Sequence, residues 1–77
     1  MDYNIEKELK QIGQKIKEIR LEKKLTQSIL AAYTDVDIRT VQLIEKGELN
    51  MSLIVLYSIS NALDILPSEL LSNKNIH

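Results

Sequence analysis

An all-α chain of five short helices is predicted by three features of this 77-residue sequence. Apolar residues recur at steps of three and four, the spacing of one helical face. Short polar side chains that cap helices stand in front of the apolar stretches, at Asn4, Thr26, Asp37 and Ser52. Gly47 and Pro67 fall where a helix must stop and where one can start.

The elements follow in order. Ile5, Leu9, Ile12, Ile16 and Ile19 form one stripe, so a helix is expected over residues 4–23 with Asn4 as its cap. Gly13 is its weak point, because Gly inside a helix costs about 1 kcal/mol relative to Ala. Either the helix packs closely against a neighbour there, or a break divides an N-terminal helical extension (1–11) from a domain spanning 12–71. Thr26 caps a second helix running to about residue 33, with Ile29, Leu30 and Tyr33 facing inward. Thr34, Asp35 and Val36 make a turn, with Val36 directed back into the core. Asp37 caps a third helix over about 38–45, with Val41 and Ile44 inward and Gly47 as its stop. After a loop from Glu48 to Met51, Ser52 caps a fourth helix over 53–63, its core face Leu53, Leu56, Ile59 and Leu63. Pro67 opens a fifth, ending near Leu71. The tail, 72–77, is polar and expected to be frayed.

Composition narrows the function. With no Cys and a single His at position 77, the chain has neither a Cys/His metal site nor a Cys nucleophile. There is no Gly-rich phosphate loop and no evident pair of catalytic carboxylates, so neither an enzyme nor a cofactor or small-molecule substrate is expected. No apolar run approaches the roughly 20 residues that span a membrane. The charged N-terminus does not resemble a signal peptide, so a cytoplasmic location, on a bacterial or phage nucleoid, is expected.

The net charge of -1 favours no partner, but its distribution does. Residues 7–24 carry seven bases (Lys7, Lys10, Lys15, Lys17, Arg20, Lys23, Lys24) against Glu8, Glu18 and Glu22, a net +4. The flanking segments are all net negative. Positive charge is thus concentrated on the first helix.

The stretch LTQSILAAYTDVDIRTVQLIEKG, residues 25–47, has the layout of a helix-turn-helix. Its second helix carries Arg39, Thr40 and Gln42 near its start, where such a motif meets base edges in the DNA major groove. The wider series of words resembles the phage repressor and Cro-type helix-turn-helix family, often called XRE. These are IGQKIKEIR (12–20), LTQ (25–27), LAA (30–32), DVDIRTVQLIEKG (35–47), NMSL (50–53) and ALDILPSELL (62–71), in register and without a gap.

The resemblance implies a compact five-helix, lambda-repressor-like bundle, here with its first helix extended at the N-terminus. It implies that Thr26, Gln27 and Lys46 hold phosphates and that Ile38, Arg39 and Leu43 meet base edges. It further implies a buried ion pair between Arg20 and Glu45. This chain has Asp35 and Lys24 where the family often has Gly, Asp37 where Ser or Thr is common, and Leu66 where a capping hydroxyl is frequent.

Chemistry adds to these assignments. Arg39 is the best base reader, since a guanidinium bonds O6 and N7 of guanine together; phosphate contact is its other reading. Gln27 at a helix start suits a phosphate oxygen. Gln42 is placed with the base readers and Thr40 with the phosphate contacts. Lys46 and Lys15 (or Lys17) are candidates for phosphate neutralisation. Ile38 and Leu43 suit a thymine methyl or, equally, a protein partner. Ile54, Val55 and Leu66 are apolar where a lone domain would be polar. Either the N-terminal turns around Ile5 and Leu9 cover them, or they form the seam of a homodimer.

The expected function is a sequence-specific DNA-binding transcriptional regulator, acting as a repressor and reading double-stranded DNA as a homodimer with helix 38–45. The rival is a protein-interaction module of the same fold, antitoxin-like or a regulatory partner, with little direct DNA binding.

Overall fold

Side-chain caps set where the chain turns helical. In the computed structural model, which describes residues 3–71, Asn4, Thr26, Asp37 and Ser52 each accept a hydrogen bond from the backbone N–H three residues on, at 2.8–3.2 Å. Behind them lie α1 (Ile5–Glu22), α2 (Gln27–Thr34), α3 (Ile38–Lys46) and α4 (Leu53–Leu63). Pro67 opens α5 (Pro67–Leu71), where the Glu69 carboxylate reaches back to the Leu66 N–H at 2.6 Å. The glutamate half of a capping box thus serves where no capping hydroxyl stands. The all-α, five-helix architecture is as the sequence predicts.

The first four helices end alike. The residues at the left-handed position are Lys24, Asp35, Gly47 and Asp64, with φ of 59°, 55°, 74° and 58°. The N–H of the following residue bonds a carbonyl five residues back: Leu25 to Arg20, Val36 to Ala31, Glu48 to Leu43 and Ile65 to Ser60. This is the Schellman closure. Three of its four left-handed residues are not Gly, at about 1–2 kcal/mol each. Burial offsets this cost, because the residues that follow them, Leu25, Val36 and Ile65, pack on the core.

The core is formed by Ile16, Leu30, Val41, Ile44, Ile59, Leu63 and Leu70, all sealed from water. Each such aliphatic residue contributes about 1.5–3 kcal/mol. α1 lies against α3 and α5, α2 against α3 and α4, and α5 closes on α1 and α4.

α1 runs unbroken through Gly13, which is buried. A Cβ there would stand 2.2 Å from the Ile44 carbonyl oxygen and 2.9 Å from that of Glu45. Close packing of α1 on the end of α3 therefore explains this glycine.

Two assignments of inward faces are corrected. On α2 the buried face is Leu30, Ala31 and Thr34, whereas Tyr33 is 65% exposed and Ile29 39% exposed. α2 carries two adjacent apolar stripes, and packing between α3 and α4 selects the one that can be enclosed on both sides. Leu53 is 65% exposed rather than core. Helical side chains lean toward the N-terminus, so a first-turn residue overhangs the end of α4, beyond the core. Among the described residues no helix is long and apolar enough to cross a membrane.

Candidate nucleic-acid interface

The outer face of α3 follows from its inner one. Val41, Ile44 and Glu45 are buried. At 100° per residue, the opposite side carries Arg39, Leu43 and Lys46, with Gln42 beside them. Arg39 and Lys46 are exposed, whereas Gln42 and Leu43 are half-buried. Ile38 lies at the flank, 42% exposed. Among the described residues the Arg39 side chain has no hydrogen bond or ion pair. Its five N–H donors face solvent without a partner, as a group that is to meet a ligand requires.

Behind this face a charged network fixes α3. Arg20 Nε donates to Glu45 Oε2 at 2.6 Å and Nη2 to Oε1 at 3.1 Å. Its remaining arm, Nη1, donates to the Leu25 carbonyl at 2.8 Å. Both side chains are buried. Such a fork joins α1, the loop before α2 and α3 through one guanidinium.

Gln27 belongs to the same network, because its Nε2 donates to Glu45 Oε1 at 3.0 Å. The side chain expected at a phosphate is thus turned inward and supplies the third hydrogen bond a buried carboxylate needs. The backbone at the start of α2 stays available, because the first N–H groups of a helix have no partner within it. Thr26 caps α2 with a neutral hydroxyl and is exposed.

Two other expected phosphate contacts have partners within the fold. The Thr40 hydroxyl donates to Asp37 Oδ1. A hydroxyl has one proton, so Thr40 has no donor left for phosphate. Lys15 Nζ donates to the Glu69 carbonyl of α5 at 3.0 Å.

At the start of α3, Asp37 Oδ1 also accepts from the Thr40 backbone N–H at 2.8 Å. The Thr40 hydroxyl and then its backbone N–H hold the Asp37 carboxyl below its ordinary value of 3.8.

Of the expected seam residues, Ile54 and Leu66 are 79% and 66% exposed, but Val55 packs against the core. One step along a helix is 100°, enough to carry Val55 off the face of Ile54. The N-terminal turns do not cover Ile54; Lys10 instead lies against Gly47 at the end of α3. Ile54 lines a shallow open groove with Leu53, Tyr57, Ser58 and Asn61. Leu53 and Tyr57 are absent from the expected seam, although the 54, 57, 58, 61 spacing was a readable sign of one helical face.

The model of the helix-turn-helix family matches residues 16–70. This protein belongs to the helix-turn-helix family, of the XRE type. Among solved structures, this helix-turn-helix chain is similar to the restriction-modification controller protein C.AhdI from Aeromonas hydrophila. The two are 39% identical over 80% of this chain and 94% of that one, with a TM-score of 0.79. The fold is shared with the clp gene regulator ClgR from C. glutamicum, at 21% identity over 91% and 87% of the two chains, TM-score 0.78. It is shared too with the hypothetical transcription factor NHTF from Neisseria, at 23% identity over 90% and 79%, TM-score 0.80. No curated protein sequence matches the chain. Membership of this family supports a DNA-binding regulator.

Proposed function

We propose that this protein is a sequence-specific transcriptional regulator that lays α3 in the major groove as a homodimer on a two-fold operator. The observation that carries this reading is Arg39, exposed and unpartnered on the outer face of α3. Arg39 bonds a guanine, Gln42 assists at the neighbouring pair, and Ile38 and Leu43 meet thymine methyl groups. The start of α2, through its backbone N–H groups and Thr26, holds one phosphate, with Gln27 setting its position. Lys46 and Lys17 add charge. At three or four neutralised phosphates per protomer, log affinity falls by about 0.9 per contact for each unit of log salt. The reading leaves out Thr40, whose hydroxyl proton goes to Asp37, and sets Lys17 before Lys15, whose ammonium bonds the Glu69 carbonyl.

Pairing of protomers follows from affinity. One small module on one half-site buries little surface, whereas two half-sites lie about 34 Å apart on one face of the duplex. The exposed face of α4 around Ile54, with Leu66, supplies an apolar seam. In this reading the protein acts as a repressor, in the cytoplasm.

The test is selection of random duplex DNA on the purified protein. A two-fold motif with half-sites one helical turn apart supports the proposal. Recovery of unrelated sequences supports the rival reading, in which this face binds a protein.

A further inference from the structure

The two helix starts that face the partner are built oppositely. α2 begins with a neutral cap, Thr26, and with backbone N–H groups that have no partner within the helix. A phosphate is welcome there, because the N-terminal end of a helix carries partial positive charge. α3 begins with Asp37. Its carboxylate covers the same kind of positive end, and one of its oxygens takes both the Thr40 N–H and the Thr40 hydroxyl proton. Both donors of Thr40 are therefore turned to this internal carboxylate, and Arg39 is left as the one side-chain cation at the front of α3.

Asp37 is exposed, and among the described residues no cation pairs with it, Arg39 included. Its hydrogen bonds keep it ionised at any pH near neutral. A full negative charge thus stands two residues ahead of the principal base reader, on a helix whose only other unpaired charges are Arg39 and Lys46.

We propose that Asp37 determines selectivity: it repels phosphate from the front of α3, so that this end of the helix gains from DNA only when Arg39 meets a base acceptor. The inference rests on the DNA-reading role of α3 proposed above. On random duplex, proteins are held by backbone contacts alone, and a carboxylate at the helix front removes one such mode of binding. On the operator, Arg39 fixes the helix front at the base edges, where the carboxylate hinders less. Asp37 thus lowers affinity everywhere, and lowers it most where the sequence is wrong.

Asp37→Asn and Asp37→Ser test this, since both residues cap helices as well as Asp. Folding is checked first by circular dichroism. Binding is then measured for the wild type and both variants on the selected motif and on a scrambled duplex. Both variants should tighten binding to the scrambled duplex by about 3–10-fold, the scale of one charge pair in water. The motif should gain less, so the ratio of specific to random affinity falls. Unchanged or weaker binding to scrambled DNA, or an equal gain on both duplexes, overturns the role of Asp37 while leaving the DNA-reading role intact. A wild type that binds no duplex overturns that role itself, and the proposal with it.

Discussion

Arg20 Nε and Glu45 Oε2 lie 2.6 Å apart, both side chains shielded from water, and together they tie α1 to α3. Glu45 occupies the inner side of the helix whose outer side presents Arg39. The pose of the outer face of α3 is therefore set from beneath, by a carboxylate that accepts from Arg20 twice and from Gln27 once.

Removing Glu45 leaves the Arg20 guanidinium buried without its counter-charge. Glu45→Ala should destabilise the fold by about 3–5 kcal/mol. Glu48→Ala, at an exposed position only three residues on, should stay within about 0.5 kcal/mol of the wild type. Urea unfolding with equal m-values checks this. Equal midpoints for the two variants would contradict a structural role for the pair.

Gly13→Ala separates local from tertiary effects. In an isolated peptide of residues 4–23, Ala should raise helicity, by about 1 kcal/mol of propensity. In the folded protein the added Cβ meets the Ile44 carbonyl oxygen at 2.2 Å, and stability should fall by about 1–3 kcal/mol or more. Circular dichroism on peptide and protein gives the two signs. A stabilised protein would mean that α1 does not cross α3 so closely.

These two contacts show what the sequence displays and what it conceals. Asn4, Thr26, Asp37 and Ser52 are local signals, each acting on an N–H three residues away, so helix starts are legible. The left-handed residue after α3 is legible because it is Gly47. Asp64, the equivalent after α4, is not, because its neighbour Ile65 supplies the compensating burial through tertiary packing. Period alone could not choose between the Ile29–Tyr33 and Leu30–Ala31–Thr34 stripes of α2, since both are largely apolar. In the candidate site, Arg39 was legible as an isolated cation on a helix front. The inward turn of Gln27 was not, because its partner Glu45 lies on another helix.

Asp37 gives a pH signature. Its folded carboxyl is held below the ordinary 3.8 by the hydrogen bonds from Thr40. A depressed value means that its contribution to stability is complete above the unfolded value and is lost as pH falls through the folded one. Between about pH 5 and pH 2, thermal midpoints of the wild type should therefore drop more steeply than those of Asp37→Asn, whose cap does not titrate. Parallel curves would show that the cap contributes nothing that depends on charge.

Ile54→Asp should weaken self-association at least tenfold, about 1.4 kcal/mol, without unfolding the protomer, because Ile54 is already 79% exposed. Sedimentation across micromolar concentrations reads both states. A wild type that remains monomeric throughout, or a variant that dimerises as well as the wild type, would remove α4 as the seam.

The most direct measurement concerns Arg39. Wild type and Arg39→Ala are titrated against the selected operator and against the same duplex with its contacted guanine replaced. Loss of the guanidinium should cost the operator about 1–3 kcal/mol of discrimination, and the variant should no longer distinguish the two duplexes. Equal weakening on both would make Arg39 a phosphate contact and contradict the reading of bases by α3.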